Sequence, residues 1–291
     1  MKKNRKEIEQ VVIVVHPHNH EAYRTAEEIA RSLRDKDCLV SLGKMDDQDI
    51  QEVVSGEDQD LLIALGGDGT MLRAGHLAAP HGIPILGINL GRFGFLTEIQ
   101  KDEWAAALDQ VLAGEYRTEK RMMLETTHLR DDRQIGKWTA LNDAVISRGK
   151  LIRPIQLEIA INGRHLSTYV ADAVIASTAT GSTAYAMAAG GPILSPELRN
   201  IVLVSVAPHL SIEQSLVLSE EVLVSITTHT DHYAVISIDG QQPVDVINDD
   251  RIEIQASDHA VDFIRLQDPG YFYRNLIPYM DQNPVIKKKN V

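Results

Sequence analysis

Leu61-Leu62-Ile63-Ala64-Leu65-Gly66-Gly67-Asp68-Gly69-Thr70 is the stretch on which the reading of this chain turns. Five apolar residues in a row suit a strand buried on both faces of a parallel sheet. They run directly into three glycines around one carboxylate. Gly66, Gly67 and Gly69 allow a sharp backbone turn and close approach of a ligand. From Thr70 a helical pattern begins and continues over residues 71–79, so helix-start N–H groups face the turn, an arrangement that favours phosphate. An acid in the middle of a phosphate site is the odd element. It must do chemistry, bind a metal or accept from a hydroxyl; otherwise it repels the ligand. The plain alternative is a strand-to-helix turn with a helix-starting aspartate.

Outward from this stretch, residues 11–112 alternate between strand and helix patterns. Val11-Val12-Ile13-Val14-Val15 reads as a buried strand, residues 21–33 as a helix, residues 83–88 as a strand and residues 104–112 as a helix. Strand–helix–strand order implies parallel pairing with right-handed crossovers, a Rossmann-like α/β domain. After about Arg117 the period shortens to two. Ile155, Leu157, Ile159 and Ile161 alternate ahead of the Asn162-Gly163 turn signal. Val222, Val224 and Ile226 do the same, as do Ala234, Ile236 and Ile238, and Ile252 with Ile254. This texture indicates an all-β antiparallel domain. Residues 271–280 read as a closing helix. The expected division is residues 1–116, α/β; residues 117–262, β-sandwich-like; and residues 263–291, a C-terminal segment.

Composition narrows the function classes. The chain has 291 residues, 44% of them hydrophobic, with no apolar run long enough to span a bilayer. One cysteine, Cys38, permits no internal disulfide and points to a reducing, cytoplasmic setting. A formal net charge of −12 argues against nucleic-acid or anionic-membrane binding. The basic start shows no secretory pattern. There is no Gly-x4-Gly-Lys-Ser/Thr loop, and Gly67-Asp68-Gly69 lacks the third glycine of the usual dinucleotide fingerprint. His16, His18 and His20 alternate, but no cysteine or carboxylate pair completes a metal set beside them.

A second segment carries Ser177-Thr178-Ala179-Thr180-Gly181-Ser182-Thr183-Ala184-Tyr185, then Ala186-Met187-Ala188-Ala189-Gly190-Gly191-Pro192. Hydroxyls and backbone N–H groups suit a nucleotide's polar edges, and Tyr185 offers a flat face to a base. Taken alone it reads first as an ordinary Ser/Thr turn capping a short helix. Together with Gly66-Gly67-Asp68-Gly69-Thr70, Asn142-Asp143, the glycine-rich run Asn89 to Thr97, Pro208-His209 and Asp239-Gly240-Gln241, it resembles the NAD kinase family over residues 10–275. Lipid kinases share the Gly-Gly-Asp-Gly-Thr turn, but they leave residues 180–185 unexplained. A nucleotide sensor without turnover is the non-enzyme alternative.

The resemblance implies ATP as phosphoryl donor, NAD as acceptor at its adenosine 2′-hydroxyl, and a divalent metal, magnesium. It implies Asp68 as the catalytic acid–base group, with metal contact also open to it. Gly67, Gly69 and Arg73 fall by the phosphates. Asn142 and Asp143 match the NAD-contacting pair, and Thr180, Thr183, Ala184, Tyr185 and Ala188 the region around the bound nucleotide. Asp172 matches an acid that binds the nicotinamide amide, Arg153 a frequent basic position, and Gln241 a late contact. The resemblance also implies a homodimer or homotetramer, and a C-terminal segment that returns to the first domain. Ala173, Ala179 and Gln214 depart from the family's glycine, proline and arginine.

Overall fold

A computed structural model describes residues 7–17, 20–56, 58–91, 94–209 and 214–281. Contacts divide the chain into two units: Met1–Lys120 with Val261–Val291, and Arg121–Ala260.

The first unit opens with β1 (Gln10–Val15), α1 (His20–Arg34), β2 (Leu39–Lys44), α2 (Gln48–Ser55), β3 (Leu61–Leu65), α3 (Asp68–Ala78), β4 (Ile85–Asn89), the two-residue β5 (Ile99–Gln100) and α4 (Trp104–Leu112). β1 pairs in parallel with β2 on one side and β3 on the other, and β3 pairs in parallel with β4. The order is therefore β2-β1-β3-β4. The chain reverses direction across the sheet between β1 and β3, and in open α/β sheets ligands bind outside the strand carboxyl ends at such a switch point. Gly66-Gly67-Asp68-Gly69 sits at the carboxyl end of β3. All five residues of β3 and all five of β4 are buried, as the continuous apolar run predicts. Ala22, Ala26, Ile29, Ala30 and Leu33 form the buried face of α1 against Val11, Ile13 and Val15.

Two expected boundaries shift. The helix after the glycine turn starts at Asp68, not Thr70, so the acid itself occupies the first helical position behind an extended Gly67. The strand read over residues 83–88 runs Ile85–Asn89. β2 and α2 have no counterpart in the periodicity reading. β2 is a half-buried edge strand, and α2 is only eight residues long.

The second unit is built from β6 (Arg117–Arg130), β7 (Arg133–Ala140), β8 (Asp143–Arg148), β9 (Ile155–Ile161), β10 (Arg164–Ala171), β11 (Ala173–Ser177), the single turn α5 (Tyr185–Ala188), β12 (Asn200–Val206), β13 (Leu216–Ser219), β14 (Val224–His229), β15 (Ala234–Ile238), β16 (Val244–Val246) and β17 (Arg251–Arg265). β6 begins in the first unit and β17 ends in it. One antiparallel sheet has the order β13-β12-β11-β8-β15-β16. Facing it are β10, β9, β14 and the start of β17, paired antiparallel, together with the β6–β7 hairpin. The two sheets share one core. Leu124, Leu157, Ile226 and Ile252 come from one face and Ile146, Val174, Leu203 and Ile236 from the other. That is a sandwich in the sense of two inner faces interdigitating. On the outer face of the first sheet, Ala186 of α5 packs with Ile175, Val202 and Val204.

The end of β17 rejoins the first unit, with Phe263 beside Ile85 of β4 in parallel. α6 (Tyr271–Asp281) follows, and the Phe272 ring lies 6.5 Å from that of Phe95. The C-terminal segment thus returns to the α/β unit. Among the described residues, no helix is long and apolar enough to cross a membrane.

Candidate active site

In the first unit the site is organised around Asp68. Its two carboxylate oxygens accept separate backbone N–H groups: Oδ2 from Phe95 at 2.9 Å and Oδ1 from Leu96 at 3.0 Å. Both donors belong to the loop between β4 and β5. Close packing there requires glycine at position 94, since a Cβ would fall 2.1 Å from Asp68 Oδ1. Gly66 is required for a different reason. It has φ +153°, and a Cβ would meet the Thr70 side chain at 2.2 Å. Gly67 and Gly69 are different again: a Cβ on either would find no protein atom within 4 Å. The fold does not need glycine for space at these two positions. They leave the helix start without side-chain bulk, and the Thr70 and Met71 N–H groups turn back to Gly67 O at 2.9 and 3.1 Å.

Arg73 follows on α3, one turn beyond Gly69, and is exposed. Asn89 is buried, and its Oδ1 accepts the Gly91 N–H at 3.1 Å. Of the glycine-rich segment, Arg92 and Phe93 lie outside the described residues, as does His18 of the histidine run. Among the described residues, no group of three or more His, Cys, Asp or Glu side chains is arranged to hold a metal ion.

In the second unit the Asn142-Asp143 pair is held from behind. Asp239 accepts three successive backbone N–H groups: Leu141 at 2.7 Å, Asn142 at 2.8 Å and Asp143 at 2.9 Å. The Asp239 N–H in turn donates to the Asp143 carbonyl at 2.9 Å. Asp239 and Gly240 have φ of 49° and 68°, and the Gln241 N–H donates to Ile238 O at 2.9 Å. Asp-Gly suits such a turn because both central residues need positive φ. Gln241 therefore leaves a turn whose first central residue is the anchor of Asn142 and Asp143.

Asp143 is 5% exposed, and its carboxyl is pushed up to about 7 by burial and then by the Asp239 charge. A carboxyl that exchanges its proton near neutrality can donate to or accept from a sugar hydroxyl.

The hydroxyl-rich segment is joined to the same pair. The Thr178 N–H and the Ser177 hydroxyl both donate to Asn142 O, at 2.8 and 3.1 Å. The Thr178 hydroxyl accepts the Gly181 N–H at 3.0 Å. A Cβ at Gly181 would fall 2.2 Å from Asn142 O, so only glycine permits this approach. Buried Thr180 accepts a 3.2 Å hydrogen bond from Arg121 Nη1. Thr183 and Ala184 are half-buried; Tyr185, 46% exposed, and Ala188 are open on α5. Ala179 is buried beside the site, and Ala173 is buried at the other end of β11, next to Asp172. Gln214 is exposed, and the residues before it lie outside the described ones.

Asn142, Asp143, Thr180 and the turn of Gln241 are thus drawn together, but two expected residues are not. In the β8–β11 ladder Asp143 pairs with Ser177 and Ser147 with Ala173, so Asp172 lies off the other end, about 16 Å along the strand. Its carboxylate pairs with Arg148 Nε at 2.9 Å. Arg153 stands on the exposed 151–153 loop.

Sequence reasoning named no role for Asp239, Arg121 or Arg148. Arg121 had a visible signal, a charge directly before the apolar Met122-Met123-Leu124. Asp239 had one in the Asp-Gly turn.

Two family models match the chain: the ATP-NAD kinase N-terminal domain over residues 11–116 and the ATP-NAD kinase C-terminal domain over residues 141–266. The chain belongs to the NAD kinase family. An NAD kinase of Chloroflexus aurantiacus is 36% identical over 271 residues, covering 93% of this chain and 98% of the relative. An NAD kinase of Moorella thermoacetica is 44% identical over 223 residues, 76% of this chain and 70% of the relative. Among solved structures, an NAD kinase from Archaeoglobus fulgidus in complex with ATP superposes with a TM-score of 0.73 at 25% identity, covering 93% of this chain and 98% of that one. The yeast NADH kinase complexed with NADH has the same fold, with a TM-score of 0.83 at 23% identity over 98% and 91% of the two chains.

Proposed function

We propose that this protein transfers the terminal phosphoryl group of ATP to the 2′-hydroxyl of the adenosine ribose of NAD, with Asp68 as the base. The ribose oxygen forms a bond to the γ-phosphorus, and the bond from that phosphorus to the β–γ bridging oxygen breaks. ADP leaves, and the hydroxyl proton passes to the Asp68 carboxylate. The observation that carries this reading is the geometry of Asp68. Two loop N–H groups fix both its oxygens at the carboxyl end of β3, and the glycines on either side of it are bare. Each carboxylate oxygen keeps a lone pair beyond the N–H it accepts, so the anchored group can still take a proton.

The other roles are proposed residue by residue. Gly67 and Gly69 let phosphate approach the helix start, and Arg73 supplies a cation one turn on. Asn142 and Asp143 contact the ribose and base of NAD; Thr180, Thr183, Ala184, Tyr185 and Ala188 line the bound nucleotide; Gln241 closes the set. Asp172, held by Arg148, serves the nicotinamide amide at a distance from Asp143, and Arg153 serves a phosphate. The domain scheme of residues 1–116, 117–262 and 263–291 is proposed as the functional division.

A resident metal does not fit the described residues, which offer no three-ligand set. Magnesium is instead assigned to the ATP it accompanies, where phosphate oxygens and water supply most of its ligands. A cytoplasmic homodimer or homotetramer completes the reading.

The test is NADP formation from NAD, ATP and magnesium by the purified protein. Wild type is expected to form product at least about 100-fold faster than Asp68→Asn. Equal turnover by the two proteins would remove Asp68 from the reaction. No product from either, with NAD still bound, would favour a sensor.

A further inference from the structure

Asp68 is held by a loop, and the loop is itself held. Arg265, near the end of β17, is 3% exposed. Its Nη1 donates to Leu96 O at 2.8 Å. Its Nε donates to Glu119 Oε1 at 3.0 Å. The guanidinium carbon lies 4.8 Å from the centroid of the Phe263 ring. Glu119 is 5% exposed and is also gripped by Arg117, whose Nη1 and Nη2 both approach Oε2 at 3.2 Å. Arg117 Nε donates to Gln267 O at 2.8 Å, so the carboxylate is tied back to the chain just past β17.

Leu96 is therefore fastened on both sides of one residue. Its carbonyl accepts from Arg265, and its N–H donates to Asp68 Oδ1. The planar fork of arginine can serve two acceptors at fixed angles; a lysine ammonium cannot reproduce that geometry.

We infer that Arg265 is a positioning residue for the phosphoryl transfer: through the main chain of Leu96 it sets where the Asp68 carboxylate stands. The inference rests on the reading of Asp68 as the base. It gives the returning C-terminal strand a task in turnover besides packing, since it inserts one buried cation beneath the catalytic loop. A displacement of about 1 Å at a reacting group can cost about 100-fold in rate, so a loosened main chain at Leu96 should be visible in kcat.

The experiment is a cycle of wild type, Arg265→Lys, Asp68→Asn and the double variant. For each, kcat, the KM values for NAD and ATP, and the urea unfolding transition are measured on the full chain. Arg265→Lys should lower kcat by about tenfold or more with both KM values within about threefold, and the loss should vanish in the Asp68→Asn background. Glu119→Gln is the second variant, should Arg265→Lys fail to fold. It takes the charge from the acceptor of one arm of the fork, weakening that arm, and should give a smaller kcat loss, again silent without Asp68. Unchanged kcat in a folded variant overturns the inference. So does an equal fractional loss with and without Asp68, which would mean a general structural effect. If Asp68→Asn alone turns over like wild type, the reading of the base fails instead, and the two failures are told apart by that single variant.

Discussion

The two acids singled out from the sequence are held in opposite ways. Asp68 is anchored by its own carboxylate, which accepts two loop N–H groups, while its helix start is open. Asp143 is anchored through its backbone, by a different carboxylate, and its own carboxyl is buried with its affinity for protons raised. The first arrangement fixes the direction of a charged group that must meet a proton in one geometry. The second fixes a main-chain segment and leaves the side chain to trade hydrogen bonds with a hydroxyl. Orientation of a charge in one unit and recognition by a framed turn in the other are the two tasks that the proposed reaction separates.

The contrast can be broken first at Gly94. Adding a methyl group there drives a carbon to 2.1 Å from Asp68 Oδ1, and one of the two must move. Gly94→Ala should lower kcat by about 100-fold while NAD affinity, measured by calorimetry, stays within a few-fold. A comparable loss of affinity with kcat intact would mean that the loop binds and does not orient.

Asp239→Asn attacks the other anchor. Three N–H groups lose a charged acceptor, which should cost about 1–3 kcal/mol in urea unfolding and raise KM for NAD more than it lowers kcat. Removing the Asp239 charge should also bring the Asp143 carboxyl down from about 7, read by NMR titration. An unmoved Asp143 would leave burial as the sole cause.

A further effect concerns pH. Asp143 keeps its proton to about 7 when folded, against an ordinary value of 3.8. Between those values the folded chain binds more protons than the unfolded one. The contribution to stability is therefore full below the unfolded value and is lost as pH rises to about 7. Asp143→Asn should flatten that part of the stability–pH curve. Smallest of all is the effect on stability of Gly69→Ala, which meets no protein atom within 4 Å. It should leave Tm within a degree or two of wild type while raising KM for ATP. A large fall in Tm would show that the bare turn is needed by the fold itself.

Much of this was legible in the sequence because the physics was local. Continuous apolar runs marked β1, β3 and β4, and alternation marked β9, β14 and β15. The glycine turn was readable as a candidate site from residue type; the Asn-Asp and Thr-Gly-Ser-Thr segments, which taken alone read as turns, became candidates only through the resemblance to a known family. What escaped was non-local. β6 carries Glu119, Arg121, Thr126 and His128 at buried positions, so its hydropathy does not alternate cleanly. The anchoring of Asn142 by Asp239 spans 97 residues, and that of Leu96 by Arg265 spans 169. Such partners are chosen by the fold, and nothing in the neighbouring residues announces them. Asp172 shows the same limit from the other side. It is close to Ser177 in the chain, yet one strand length removes it from the Asn142-Asp143 turn.

The most direct test is to measure NAD binding and single-turnover phosphoryl transfer side by side in Asp68→Asn. An NAD affinity within a few-fold of wild type, with the transfer rate reduced by about 100- to 10,000-fold, is what an oriented base predicts. A transfer rate near wild type, or a rate lost only in step with NAD affinity, would contradict it.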